Sequence, residues 1–182
     1  MIGSVIAEMR IVSRSSSLLV MAILSAFSLC AQADSSSALV LQGVDGRGQP
    51  FDLSSLRGSV VAITFVSRYT QDEALRIHET LGAHADVKVV SIVDFVGIPE
   101  LVFDFVRRKV AEADGRVRHL CDEHGLLAGR FGTQPDKRVD ILVIGRDGAL
   151  RGHFSGVGQL ASASRLIDEA RAQVANAYDR KP

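Results

Sequence analysis

The chain has 182 residues, with 21 Lys and Arg against 21 Asp and Glu, so its formal net charge is zero. Without a basic surplus it carries no electrostatic footprint for a nucleic-acid backbone or an anionic membrane surface. A composition that is 47% hydrophobic and 23% charged excludes wholesale disorder, and two cysteines, Cys30 and Cys121, are too few for a disulfide scaffold.

At the N-terminus, Arg10 and Arg14 precede an apolar run from Leu18 to Leu29, followed by Ala31-Gln32-Ala33 and Asp34. A basic lead, an apolar core and an A-x-A site are the three parts of a secretory signal peptide, with cleavage expected after Ala33 and either Met1 or Met9 as the start. A lipoprotein signal built on Cys30 is the less favoured reading, because Phe27-Ser28-Leu29 lacks the small residue expected just before a lipidated cysteine. The run is also short of the ~18–20 residues that span a bilayer, so no stable membrane span is expected in the mature form. Residues 1–33 are then a removed signal and 34–182 a single periplasmic or secreted domain. That domain retains only Cys121 and cannot form an intramolecular disulfide.

Within it, Asp34-Ser35-Ser36-Ser37 is a polar lead. Ala38 to Gln42 reads as a strand, and Gly43-Val44-Asp45-Gly46-Arg47-Gly48 as the turn of a β-hairpin leading to Phe51. Asp52 to Gly58 is a single helical turn closed by glycine. Val60 to Val66 is continuously apolar and β-branched, as a strand covered on both faces must be. From Thr70 to His84, Ala74, Leu75, Ile77 and Leu81 recur at helical spacing. Val87 to Val93 is a second buried strand. Pro99 suits a helix N1 position, and Leu101, Val102, Phe105, Val106 and Val110 form the apolar stripe of the helix behind it. Val117 to Leu120 is a short strand and His124 to Phe131 a short helix. Val139 to Ile144 is a third buried strand, joined through Gly145-Arg146-Asp147-Gly148 to a strand from Ala149 to Phe154. Gly158 to Ala177 closes the chain as a helix with Leu160, Leu166, Ile167, Ala170 and Val174 on one side. The order predicts an α/β fold: a mixed sheet with helices on both faces and a hairpin at its N-terminal end.

Three segments carry a resemblance: Asp45-Gly46 with Phe51-Asp52-Leu53-Ser54-Ser55-Leu56-Arg57-Gly58 before the first buried strand, Cys121-Asp122-Glu123-His124-Gly125 with Arg130-Phe131-Gly132, and Ile141-Leu142-Val143-Ile144-Gly145-Arg146-Asp147-Gly148. In this order and spacing the chain resembles the thioredoxin-like superfamily, in its exported redoxin branch of TlpA-like and peroxiredoxin-like proteins. A fainter similarity, to periplasmic proteins of the YtfJ type, lies in Arg68-Tyr69-Thr70 and in Ile98-Pro99 with Phe105-Val106-Arg107. The resemblance implies a thioredoxin-like three-layer α/β/α sandwich. It also implies that an aromatic residue and a Cys-x-x-Cys pair stand between the first buried strand and its helix, where the helix N-terminus stabilises a thiolate. Aligning Tyr69 with that aromatic puts Thr70 and Glu73 on the two cysteine positions, and Val139 on the position of the cis-proline that faces the pair. Pro135 lies four residues too early and is assigned to the loop Gly132 to Asp136. Dithiol exchange at this place is excluded by residue identity. Thr70-Gln71-Asp72-Glu73 instead fits a capping box, Thr70 and Glu73 each accepting from the other's backbone N–H.

Cys121 is the remaining thiol. It reads as a half-buried structural residue, or else as the thiol of a one-cysteine oxidoreductase or peroxidase activated by His119 and His124. His119, Cys121 and His124 also form a candidate copper or zinc set, since two of them share a strand face and the third opens the next helix. His78, His84 and His153 are expected at the surface, and Arg107-Arg108-Lys109 on a solvated helix face. Ser67 lacks the G-x-S-x-G surroundings of a nucleophile elbow. The expectation is an exported thioredoxin-fold protein without its redox pair, requiring no cofactor and serving as a binding or accessory module. Its partner would be a periplasmic protein or peptide, docked at Ser67 to Thr70 and Gln134 to Val139.

Overall fold

The computed structural model describes residues 38–113 and 115–178, with side chains to 172. The expected signal peptide with Cys30, the polar lead and Val174 of the closing stripe lie outside what it describes.

Seven strands form one sheet in the order β2-β1-β5-β4-β3-β6-β7. They are β1 (Gln42–Asp45), β2 (Pro50–Asp52), β3 (Val60–Val66), β4 (Val87–Asp94), β5 (Val117–Asp122), β6 (Asp140–Ile144) and β7 (Leu150–Ser155). The helices are α1 (Gln71–Gly82), α2 (Phe103–Glu112), α3 (Leu126–Phe131) and α4 (Leu160–Tyr178). Strands β3, β4 and β5 run parallel, whereas β6 lies antiparallel to β3, β7 to β6 and β1 to β5. The sheet alternation assigns each face. Val60, Ala62 and Val66 of β3 pack with Ile77 and Leu81 of α1 and with Ala163 and Ile167 of α4. Val61, Ile63 and Phe65 point the other way, into a core closed by Leu41, Phe51, Leu53 and Ala128. Beside the first core, α2 covers β4 and β5 through Val110 against Phe95 and Cys121. The result is the expected three-layer α/β/α sandwich with an N-terminal hairpin. Among the described residues no helix is long and apolar enough to cross a membrane.

Two elements are displaced from the sequence reading. The first strand is Gln42–Asp45 rather than Ala38 to Gln42, because Val44 and Asp45 pair with Cys121 and Leu120 of β5. The turn begins only where Asp45 Oδ1 accepts from the Arg47 and Gln49 amides, at 3.0 and 2.9 Å. Upstream, Ala38 makes only a single bridge to Ala149. In the second helix, a 3-10 turn over Glu100–Val102 precedes α2 and resets its phase. Phe103 therefore turns inward to Phe95, with ring centroids 5.3 Å apart, whereas Leu101 is 96% exposed and Phe105 55% exposed.

Candidate functional site

The junction between β3 and α1 is the corner where the resemblance expects a redox pair, and there the structure assembles a dense hydrogen-bond network. Thr70 is buried, and its hydroxyl accepts from the Ser67 amide at 3.0 Å and donates to the Pro135 carbonyl at 3.0 Å. Ser67 Oγ donates to the same carbonyl at 2.8 Å. Thr70 is the N-cap residue of α1 by position, but its side chain makes no capping hydrogen bond. Glu73 does not return to it either. One carboxylate oxygen accepts from the Val139 amide at 2.8 Å and the other from the Val157 amide at 2.8 Å. The capping box is therefore corrected: both side chains form long-range braces, because backbone donors and an acceptor from other elements come within their reach.

These braces unite the inferred vestigial positions. Glu73 and Val139, standing where the second cysteine and the cis-proline are expected, bond directly, and Val139 is fully buried. No peptide bond among the described residues is cis. Pro135, assigned only to a loop, supplies the carbonyl that ties this loop to the β3–α1 corner. The loop is held a second time by Asp140, which accepts from the Gln134 amide at 3.1 Å and also pairs with His153 and Ser155. No sequence pattern announces the contacts from Ser67, Thr70 and Glu73 to Pro135, Val139 and Val157; they span 65 to 84 residues of chain.

In front of the network lies an open cavity of about 470 Å³ bordered by Arg68, Tyr69, Val96, Gly97, Gln134 and Asp136. Tyr69 is 65% exposed and carries the Arg68 guanidinium 4.6 Å from its ring centre. Val96 is exposed, and so is Leu126, next to Gly125. Asp94 lines the inner wall. Burial pushes its carboxyl above the ordinary carboxylate value, and the Asp122 and Asp136 charges add to this against the opposing Val96 N–H bond.

The other candidates are dispersed. Cys121 is 8% exposed and sits in the apolar cluster beneath α2. His119 is half-buried on the preceding strand, and His124 is exposed. Among the described residues no group of three or more His, Cys, Asp or Glu side chains is placed to hold a metal ion, so the His119, Cys121 and His124 set is not assembled. His78, expected at the surface, is instead largely buried, and burial together with the nearby His119 lowers its pKa to about 4. His84 and His153 make ion-pair contacts with Asp168 and Asp140. Arg107 bonds Glu123 and Asp104, and Lys109 bonds Glu112, in keeping with a solvated face.

No family model matches the chain and no curated protein does. Solved structures do. The exposed lipoprotein thioredoxin Etrx1 of Streptococcus pneumoniae superposes with a TM-score of 0.58 at 17% identity, over 72% of this chain and 99% of that one. A putative thioredoxin of Neisseria meningitidis gives 0.57 at 20% identity, over 74% and 89%. A putative thiol:disulfide interchange protein DsbE of Chlorobium tepidum gives 0.54 at 16%, over 73% and 94%. These similarities establish a thioredoxin-like fold. They lend no support to the YtfJ-type similarity.

Proposed function

We propose that the chain is an exported thioredoxin-fold protein that has no dithiol chemistry and works as a non-catalytic binding or accessory module. The observation that carries this reading is the employment of Thr70 and Glu73. Neither can form a disulfide, and both are fully engaged in holding the corner together. Fold alone does not decide function, so the argument rests on the site. The cavity beside the braces, with exposed Tyr69 and Val96 on its rim, has the apolar and polar character of a surface that recognises an extended peptide. Export is supported by the signal-like N-terminus and by the description of the pneumococcal relative as an exposed lipoprotein.

Two measurements test the reading. The mature chain should not catalyse disulfide reduction or peroxide turnover, and an extended-peptide library should shift the backbone resonances of Arg68, Tyr69, Gly97 and Gln134 to Asp136. Peroxide or disulfide turnover that disappears in Cys121→Ser would overturn it in favour of a one-cysteine enzyme.

A further inference from the structure

A second cavity, of about 340 Å³, lies between α1 and α2 over strands β4 and β5. Its walls are apolar, with Leu75 from α1, Val93 from β4 and Val106 and Val110 from α2. Its floor is not. His78, Ser91 and His119 line it from three different elements.

The floor arises from a cross-strand register. Thr64 of β3 pairs with Ser91 of β4, and Ser91 pairs with His119 of β5, so three polar residues lie side by side across the central parallel strands. Each interrupts an otherwise mainly apolar run, on the face where Ala62, Val66 and Val89 build the core. From above, His78 of α1 meets Thr64 Oγ1 at 2.8 Å, and its ring lies edge-on to that of His119 with centroids 6.2 Å apart. Ser91 is 1% exposed and its hydroxyl has no hydrogen-bond partner. A buried hydroxyl without a partner carries a desolvation cost that Ala or Val would avoid. Packing therefore gives no reason for serine here, whereas a bound hydrogen-bonding group would.

We infer that this cavity is a binding site for a small uncharged organic molecule with an apolar body of one or two rings and a single hydroxyl or carbonyl head, seated on Ser91 and the two imidazoles. The size fits. A dry cavity of ~150 Å³ holds benzene, and ligand pockets typically begin near ~300 Å³ with apolar walls and a few convergent polar groups. The head is uncharged because His78 is held neutral at ordinary pH by its burial, and no fixed charge lies on the floor. The charged residues that line the cavity, Arg68, Lys109 and Asp94, come from the loop after β3, from the length of α2 and from the C-terminal end of β4, away from the floor. The cavity adjoins the one in front of the Thr70 and Glu73 braces, sharing Ser67, Arg68 and Asp94 with it, but its polar floor of His78, Ser91 and His119 belongs to it alone, and the proposal does not depend on the peptide-binding reading.

The test is a titration of the isotopically labelled mature chain with 4-butylphenol, butylbenzene and 4-butylbenzoate, following backbone amides and the His78 and His119 ring protons. Saturable shifts centred on His78, Ser91 and His119 are expected with 4-butylphenol, at an affinity at least tenfold above that for either comparator. Ser91→Ala should weaken 4-butylphenol at least fivefold without lowering the melting temperature. Leu75→Glu, a change on the exposed rim of the wall that folding tolerates, should weaken it as well. Equal affinity for butylbenzene, or an unaltered affinity in both variants, overturns the assignment of the polar floor. Shifts confined to Tyr69 and Gln134 to Asp136, or none at millimolar phenol, overturn the site itself.

Discussion

Replacing Glu73 is the sharpest test of how the β3–α1 corner is held. Its carboxylate accepts from two backbone amides, Val139 and Val157, both at 2.8 Å. Hydrogen bonds to a charged group contribute ~1.5–3 kcal/mol each, and the larger share is lost where the abandoned partner cannot reach water. Val139 is fully buried, so Glu73→Ala strands its amide; Val157 is exposed, so water takes over there at a cost of ~0.5 kcal/mol. The expected destabilisation is about 2–4 kcal/mol, read as a fall in the urea midpoint at constant slope, with a melting temperature lower by about 8–16 °C. Glu73→Gln is the discriminating variant. A capping box accepts Gln as readily as Glu, whereas the double brace loses one of its two acceptors and turns an amide N–H₂ towards a backbone N–H. Gln should therefore cost about half of the alanine effect. If Glu73→Gln unfolds with the wild type and Glu73→Ala costs less than ~1 kcal/mol, the brace is wrong and local capping is right.

Thr70→Ser should keep both hydroxyl contacts and near wild-type stability, whereas Thr70→Val, leaving the Ser67 amide and one bond to the Pro135 carbonyl unmade, should cost ~1–2 kcal/mol in the same denaturation assay. His78 titrates near 4 in the folded chain against 6.5 unfolded, so its stabilising neutral state is fully present above pH 6.5 and lost as pH falls towards 4, by about 3 kcal/mol; His78→Gln should flatten the pH dependence of stability across that window, and an unchanged slope would refute the assignment. Gly46→Ala should cost ~1–3 kcal/mol, since a Cβ there would lie 2.7 Å from the Ala111 amide nitrogen and 2.8 Å from the Arg107 carbonyl oxygen, forcing the hairpin away from α2; a wild-type denaturation midpoint would show that the hairpin yields freely.

The central strands were legible because strands covered on both faces must be nearly continuous in apolar, mostly β-branched residues, and the parallel β3 and β4 and the antiparallel β6 largely are. The edges were less so. Asp45 reads as a turn residue, and it does build the turn with its side chain while its backbone still belongs to the strand. The apolar stripe of α2 was misphased because a 3-10 turn advances by three residues rather than 3.6, which local spacing does not reveal. At the candidate site the place of Thr70 and Glu73 at the start of α1 was legible and their work was not. Thr-x-x-Glu has a sound local interpretation, and only the folded chain brings Val139, Val157 and Pro135 close enough to outbid it. For the second cavity a signal did exist: Thr64, Ser91 and His119 are each a polar residue on the otherwise mainly apolar inward face of its strand. Their meaning depended on strand order and register, which place all three in one row.

The two corners of the molecule bear on each other through what each does with its polar groups. At the junction of β3 and α1, where the resemblance leads one to expect a reactive pair, every hydroxyl and carboxylate oxygen named above has been given a partner, and the loop before β6 is pinned from both Pro135 and Asp140. Such a braced backbone beneath the rim formed by Tyr69 and Val96 is what the proposed recognition role would need. Under α1 the opposite holds, since Ser91 is buried without a partner inside a cavity large enough for one. Unspent hydrogen-bonding capacity beneath apolar walls is what a small ligand can use.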